Sequence, residues 1–261
     1  MLNKIILIAL FLFKLQIVII PSNDQLRKIN NNSFKVGERL TFNVKLGFVV
    51  VGIAQFHIPS IKRISGRDAY HVNFEVNTVP SFDPIFKVRD RYETYIDVEG
   101  IFPWRFEQHI REGKFSRDFS AFFDQRKGRV KTSEGTYEIP RYVHDIVSAF
   151  YYARTLDYSS LKKGDKIKLQ NFYKDKVYDL DVIYHGKETV TVPAGTFQTI
   201  IVEPLVQEGG LFKHEGNIII WLSDDELKIP VRVKTKVIIG YIDADLTSYE
   251  GLAGKLKSKI K

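Results

Sequence analysis

The sequence contains no cysteine among its 261 residues. This absence excludes disulfide bonds, thiol catalysis and a lipid-modified N-terminal cysteine. Outside the cytoplasm, a fold without disulfides must be held together by its hydrophobic core. A chain of this length can bury about 70–75% of its unfolded surface, so the core can be sufficient.

Catalytic and metal-binding motifs are also missing. None of the six histidines stands in an HExxH or H-x-H arrangement, and there is no nucleophile elbow, P-loop or dinucleotide glycine motif. We therefore predict no metal site, no cofactor and no catalytic residues. Asp224, Asp225 and Glu226 form the densest acidic cluster. We interpret this cluster as a turn, where Asp bonds its own backbone, and the alternative is an acid–base pair.

The N-terminus resembles an export signal. Residues 1–21 carry Lys4 and then an apolar run over 5–13, with Lys14 behind it and Pro21 at the end. This layout is typical of a signal peptide, although no A-x-A cleavage site follows. The alternative is an uncleaved membrane anchor. Both predict a periplasmic or otherwise exported protein.

The net charge of +8 serves solubility alone or favours anionic partners. For an exported protein we expect a lipid, an envelope polymer or an envelope protein as partner, and no nucleic acid. Three cations alternate on each of two strands, at Lys87-Arg89-Arg91 and Arg232-Lys234-Lys236. These ladders could form a patch for anionic lipid or polymer, or a solvated face guarded against strand addition.

Most of the remaining chain shows the period-two alternation of half-buried strands. We predict a linker at 22–35, a single β-rich domain at 36–250 and a frayed basic tail at 251–261. The domain has about twelve strands at the spacing of a barrel or sandwich. Because short turns join them, sequence neighbours should pair antiparallel in a curved sheet.

Several boundaries are specific enough to test. We predict turns at 59–67 and 185–187, one strand over 130–139, a loop at 207–216, and a three-residue hairpin with a bulged glycine at Gly195.

The exception is 144–155, HDIVSAFYYART, the one convincing helix. It is apolar nearly all round, which predicts burial inside the sheet. Asp145 is the expected N-cap. A charge at Arg154 would have to find a carboxylate, helix-end carbonyls or an anionic head group.

A curved sheet of a dozen strands would enclose a void. Two packed layers, the helix or a ligand could fill it. If a ligand lies beside the helix, the candidate contacts are Phe150, Tyr151, Arg154, Trp104 and Trp221.

Four stretches in order carry a resemblance: FKVGERLTFNVKLGFVVVGIA at 34–54, HDIVSAFYYAR, TVPAGTF at 191–197, and IIIWLSDDELKIPVRV followed by IIGYIDADL. Together they resemble domain of unknown function 3108, a family of exported bacterial proteins, over about 34–250. The resemblance implies an envelope-associated β-rich domain and no reaction. Its motif residues read as turns, caps and packing: Gly37, Glu38, Asp145, Pro193, Gly195, Asp225, Pro230 and Gly240.

Three functions follow as hypotheses. The first is a non-catalytic envelope protein that binds an apolar or amphiphilic ligand, or a protein partner, in a cleft beside the helix. The second is a hydrolase of an envelope polymer that uses Asp224 or Asp225. The third is a structural scaffold with a filled core.

Overall fold

The structure is a computed structural model that describes residues 25–206, 218–237 and 240–261. The predicted signal peptide at 1–21 and the predicted loop at 207–216 lie outside the described residues.

The described residues form fourteen strands and one helix. Their bounds are β1 (Arg39–Leu46), β2 (Val49–Ile64), β3 (Arg67–Thr78), β4 (Arg89–Asp97), β5 (Pro103–Glu112), β6 (Phe115–Asp124), β7 (Arg129–Thr132), β8 (Thr136–Glu138), α1 (Ile146–Arg154), β9 (Lys166–Tyr173), β10 (Lys176–Val192), β11 (Gly195–Val206), β12 (Ile218–Ser223), β13 (Pro230–Val237) and β14 (Gly240–Glu250).

All fourteen strands belong to one curved antiparallel sheet, in the order β8-β7-β6-β5-β4-β3-β2-β1-β14-β13-β12-β11-β10-β9. Two meanders, β1–β8 and β9–β14, are joined where β1 pairs with β14. The sheet is not closed into a barrel, because β8 and β9 are its edges. At the β9 edge His144 forms a parallel bridge to Asn171. The predicted fold class, mainly β with neighbours paired antiparallel, is confirmed.

Bulges and turns correct several predicted boundaries. The turn predicted at 59–67 is confined to Ser65 and Gly66, because β2 continues to Ile64 with a register shift near Pro59. No turn interrupts the chain at 185–187, because β10 runs through it with a register shift. A bulge tolerates Pro59, which lacks an N–H for the ladder. The predicted strand at 130–139 is two strands, since Thr132 turns the chain by accepting the N–H groups of Glu134 and Gly135.

The hairpin at Pro193 is also tighter than predicted. Val192 pairs with Gly195, so only Pro193 and Ala194 connect β10 to β11. The three-residue hairpin is therefore wrong, although Gly195 does adopt a positive φ of 135°.

Helix α1 has the predicted caps and burial. Asp145 accepts the N–H groups of Val147 and Ser148, and the Ser148 hydroxyl accepts the N–H of Asp145. This capping box satisfies donors that a helix start otherwise leaves unpaired. None of the nine helical residues is exposed.

One end of the sheet, which we call the closed end, holds Glu38, the β4–β5, β6–β7 and β12–β13 turns, and both chain segments that flank the sheet. The stretch 25–37, most of which was predicted to be linker, packs here: Phe34 is 2% exposed and contacts Tyr151 of the helix at 4.8 Å between ring centroids. The opposite end carries the β1–β2, β3–β4, β5–β6, β9–β10 and β13–β14 connections, and we call it the rim.

The C-terminal tail also packs at the closed end, so the prediction of a frayed tail is wrong. The N–H of Thr196 donates to the carbonyl of Lys261, and the N–H of Gln198 donates to that of Ser258. Gly195 permits this contact, because a Cβ there would lie 2.3 Å from the Lys261 carbonyl oxygen.

Candidate functional site

A cavity of about 310 Å³ lies between helix α1 and the concave face of the sheet. Of its twenty-one lining residues, only Tyr92 carries a polar side-chain atom. The lining consists of Phe42, Ala54, Phe56, Phe74, Tyr92, Ile146, Val147, Ala149, Phe150, Ala153, Leu169, Leu180, Val182, Val202, Pro204, Ile218, Ile220, Leu222, Pro230, Val233 and Ala244. The site can therefore hold an apolar group but offers almost no hydrogen bonds.

Five lining residues share one depth below the rim, while Ile218 lies nearer to it. Phe42, Phe74, Leu180, Val233 and Ala244 each stand four residues from the rim end of their strands. At about 3.3 Å per residue this depth is about 13 Å. The helix forms the opposite wall, and its half-buried residues Ile146, Phe150 and Ala153 face the space.

Aromatic rings form one side of this wall. Phe56 stacks on Phe74 at 4.2 Å and on Phe150 of the helix at 5.2 Å between ring centroids. The Phe74 ring in turn packs against the Tyr92 ring, with 5.7 Å between the ring centroids. This row links β2, β3 and β4 to the helix, so the shape of the cavity depends on how the helix packs.

Only one of the five candidate ligand contacts lines the cavity. Phe150 does, whereas Tyr151 and Arg154 lie on the opposite side of the helix and are fully buried. Trp104 is 1% exposed and donates its indole N–H to Asp97, away from the cavity. Trp221 lies between two lining residues of β12, so its side chain points to the other face, where it donates to Glu188.

Arg154 is held entirely by the protein. Its guanidinium donates to both Glu38 carboxylate oxygens at 2.6 and 2.8 Å, and to the carbonyls of Ser33 and Leu227. Both charged side chains are 0% exposed. Although burial disfavours its charge, the Glu38 carboxylate raises the pKa of Arg154. Of the three partners expected from the sequence, the carboxylate is the one that the geometry provides, because the carbonyls of Ser33 and Leu227 do not belong to the helix end.

The same buried pair acts on the helix through Tyr151. The Tyr151 hydroxyl lies 3.5 Å from Glu38 Oε1, and burial, followed by this carboxylate, raises the pKa of the phenol well above its usual value. The Ser33 hydroxyl lies 2.8 Å from the Arg154 carbonyl oxygen. The C-terminal half of the helix is thus fixed to the segment before β1.

The acidic cluster has the geometry of a turn. Asp225 accepts hydrogen bonds from the Ser223 hydroxyl and from the N–H groups of Leu227 and Ser258. Asp224 pairs with Lys187 at 2.7 Å. With these partners the two carboxylates stabilise the β12–β13 turn and the tail.

The other motif residues also lie at turns and strand starts. Gly37 has a positive φ of 94° before β1, and Gly240 has one of 133° at the start of β14. Pro230 begins β13, lines the cavity and pairs with Leu222 across a register shift. These residues set local geometry around the site.

Three of the six cations in the two basic ladders form ion pairs within the part of the chain that the structure describes. Arg89 pairs with Asp83, Arg91 with Glu93, and Arg232 with Asp245. Lys87 lies in the loop before β4 and not in a strand.

Sequence reasoning missed most of the lining. Phe42, Phe56, Phe74 and Tyr92 stand at alternating apolar positions of β1–β4, a signal that marks the inner face of a strand but not a cavity on that face. The position of the helix decides which inner-face residues line the cavity.

Within 25–206, 218–237 and 240–261, no group of three His, Asp or Glu residues is placed to hold a metal. No helix in these ranges is long and apolar enough to cross a bilayer.

A sequence profile of a family described as a protein of unknown function, DUF3108, matches residues 41–247. The chain belongs to this family. Among curated proteins no match was found. The matched range runs from β1 to β14 and so contains both meanders, the helix and the cavity.

Among solved structures, this chain shares its fold with a β-barrel-like protein of domain of unknown function DUF1849 from Brucella abortus. The identity is 12% and the TM-score 0.53, over 87% of this chain and 99% of that chain. A candidate lipoprotein of Parabacteroides distasonis scores 0.39 at 11% identity, over 87% and 100% of the two chains. A candidate exported protein with a YmcC-like fold from Bacteroides fragilis scores 0.32 at 13% identity, over 87% and 100%. The Brucella protein shows a barrel-like fold for this family.

Proposed function

We propose that this protein is an exported, non-catalytic envelope protein that binds an apolar or amphiphilic molecule in the cavity between α1 and the sheet. The observation that carries the proposal is the cavity itself, with its almost wholly apolar lining. Natural interiors leave few voids larger than a water molecule. A space of about 310 Å³ is large enough for a small-molecule site.

The ligand class follows from the chemistry of the wall. An apolar surface gains free energy from burial of hydrocarbon, roughly 25 cal/mol per Å² removed from water. Because Tyr92 is the one polar lining residue, a ligand with several polar groups would lose hydrogen bonds to water without replacement. A hydrocarbon chain with its polar head outside the cavity fits both conditions. The N-terminal segment supports placement of this ligand in the envelope.

Filling the cavity tests the proposal. Ala153 lies on the helix and lines the cavity, and Ala153→Phe would occupy space next to Phe150. We expect native mass spectrometry to find a co-purified lipid or other amphiphile with the wild-type protein. We expect the variant to lose this adduct and to bind the apolar dye N-phenyl-1-naphthylamine at least tenfold more weakly.

The matched control is Ile61→Phe, which enlarges an exposed side chain outside the cavity. It should keep the wild-type dye affinity. Equal dye binding by wild type and Ala153→Phe, with a folded circular dichroism spectrum for both, would contradict the proposal and favour a scaffold.

A further inference from the structure

Exposed apolar side chains of the described chain are concentrated at the rim. Eleven large hydrophobic residues are exposed in the described ranges, and seven of them lie in or beside four of the rim connections, β1–β2, β3–β4, β5–β6 and β13–β14. The seven are Phe48, Val49, Val50, Ile85, Phe86, Phe115 and Tyr241. Phe48 is completely exposed, and Ile85 is 74% exposed. Single exposed apolar residues are ordinary, but the concentration of most of them at one end of a sheet indicates an interaction surface.

The rim connections are neighbours in space and two of them are tightly built. The N–H of Gly113 in the β5–β6 turn donates to the carbonyl of Lys87 in the β3–β4 loop at 2.8 Å. The β3–β4 loop also bonds to β2, since the N–H of Val79 donates to Val51 at 3.0 Å. Backbone hydrogen bonds therefore fix the two hairpin connections that expose Ile85, Phe86 and Phe115.

Cations stand directly beside these tips. Lys87 follows Phe86, and Lys114 precedes Phe115. The Lys234 ammonium lies 4.5 Å from the centroid of the Tyr241 ring. Lys87 and Lys114 are exposed and form no ion pair with the described residues. Apolar tips flanked by free lysines are the side-chain pattern of a surface that meets anionic lipid head groups.

We propose that the rim docks onto the surface of a bilayer that contains anionic phospholipid. Four hairpins each present one to three apolar side chains, so the apolar groups are separate tips and not one shaped pocket. Such tips suit a fluid surface into which each side chain inserts independently, whereas a protein partner needs complementary shape. The net charge of +8 also attracts the protein to an anionic surface.

Docking in this orientation would place the level of Phe42, Phe74 and Val233 in the cavity about 13 Å from the bilayer surface. The inference rests on the rim side chains and holds whether or not the cavity binds a ligand. Its test therefore uses labels on the rim and leaves the cavity probe aside.

The absence of native cysteine makes a site-specific test direct. In the full-length chain, Phe48→Cys carries an environment-sensitive NBD label at the rim. Phe122→Cys, exposed near the closed end of β6, carries the same label as control. Vesicles consist of equal parts phosphatidylglycerol and phosphatidylcholine, or of phosphatidylcholine alone. Because both labelled chains share residues 1–21, membrane insertion of that segment affects them equally.

We expect the fluorescence emission of the label at position 48 to shift to the blue with the anionic vesicles. Nitroxide-labelled lipid should quench that fluorescence. The label at 122 should change in neither respect. An unchanged label at 48, or an equal response at both sites, would overturn the proposal. A blue shift without vesicles that grows with protein concentration would identify a second copy of the chain as the occupant.

Charge reversal gives an independent measurement. Lys87→Glu combined with Lys114→Glu should weaken vesicle binding at low salt by more than about fivefold, the effect of one basic residue near an anionic surface. Lys62→Glu combined with Lys127→Glu makes the same change in net charge away from the rim. Equal loss in both double variants would show that net charge alone, and not the rim, attracts the vesicles.

Discussion

The two ends of the sheet use polar groups in opposite ways. At the closed end, Arg154 and Glu38 are fully buried and satisfied by each other and by backbone carbonyls. At the rim, the hairpin tips expose Phe48, Ile85 and Phe86, with free lysines beside them. The closed end therefore holds the helix by a buried ion pair and hydrogen bonds. The rim instead leaves apolar side chains exposed to solvent.

This difference teaches how an open sheet can hold a cavity. The Arg154–Glu38 pair and the Ser33 hydroxyl anchor the C-terminal half of the helix at the closed end, so the helix does not have to fill the space between it and the sheet. The cavity persists because the helix is held at the closed end. The aromatic row of Phe56, Phe74 and Phe150 then packs between the helix and the sheet along one side of the cavity. Removal of closed-end contacts should thus destabilise the protein, while rim changes should not.

The largest effect is expected from the buried ion pair. Arg154→Met leaves the Glu38 carboxylate buried without a partner, which should lower the free energy of unfolding by about 3–5 kcal/mol. Urea denaturation measures this change. Arg129→Met removes an exposed pair with Glu138 and should cost less than about 1 kcal/mol.

A double-variant cycle sharpens this result. Glu38→Gln together with Arg154→Met should cost clearly less than the sum of the two single changes, because neither charge is then left unpaired. Strict additivity would mean that the pair is not coupled as the geometry requires.

The acidic turn gives the next effect. Asp225→Ala removes the acceptor for Ser223, Leu227 and Ser258, and should lower stability by about 1–3 kcal/mol. Asp224→Ala removes a surface pair with Lys187 and should change stability by less than about 0.5 kcal/mol. Thermal unfolding of both variants checks the contrast, and equal shifts would refute the structural role of Asp225.

His144 should give the closed end a dependence on pH. Burial and then the nearby Arg27 lower the pKa of His144 well below 6.5, so the folded state keeps this imidazole neutral while the unfolded chain protonates it. Stability is therefore fully present above the unfolded pKa of about 6.5 and falls as the pH drops below it, by up to about 1.4 kcal/mol per pH unit.

We expect His144→Gln to have a flatter profile of unfolding free energy between neutral and mildly acidic pH than the wild type. Parallel profiles for the two proteins would show that His144 does not contribute to the loss.

A smaller effect is expected at the helix start. Asp145→Ala removes the N-cap and should lower stability by about 1–2 kcal/mol. Burial raises the pKa of Asp145, against the hydrogen bonds from Ser148 and Thr94, so its contribution to stability declines as the pH rises through that raised pKa. Asp145→Asn keeps the cap without a charge and should stay close to wild type at neutral pH in urea denaturation. If the two variants lose the same stability, the cap bonds are not the cause.

The smallest effect on stability should come from the rim. Phe48→Ser removes a side chain that is completely exposed and should change the unfolding free energy by less than about 0.5 kcal/mol. The same variant should weaken binding to anionic vesicles. A large loss of stability would break the comparison, because the rim would then be part of the folded core.

Local pattern predicted much of the fold. Alternation of apolar residues marked most strands, and the short turns between them implied antiparallel neighbours. The helix, its Asp145 cap and its burial followed from an apolar surface nearly all round and from the residue before it. Bulges escaped prediction because Pro59 and Gly186 are ordinary turn residues, and only the register across the neighbouring strand shows that the chain continues.

The candidate site was predicted less well, for a physical reason. Phe150 could be chosen because it lies on the helix, but Tyr151 and Arg154 share that helix and face the other way. The partner of Arg154 is 116 residues away at Glu38, and no local pattern encodes that distance.

The sequence by itself determined the strands, the antiparallel order and a single internal helix, because these depend on periodicity and on neighbours along the chain. The tertiary structure alone decided which face of the helix meets the Glu38 carboxylate and which face borders the cavity. It also decided that residues 25–37 and the C-terminal tail cover the closed end, while separate hairpins bring their apolar tips together at the rim. These outcomes depend on contacts between charged groups and aromatic rings that are far apart in the sequence. No local sequence pattern reveals such contacts, and they become visible only in the folded chain.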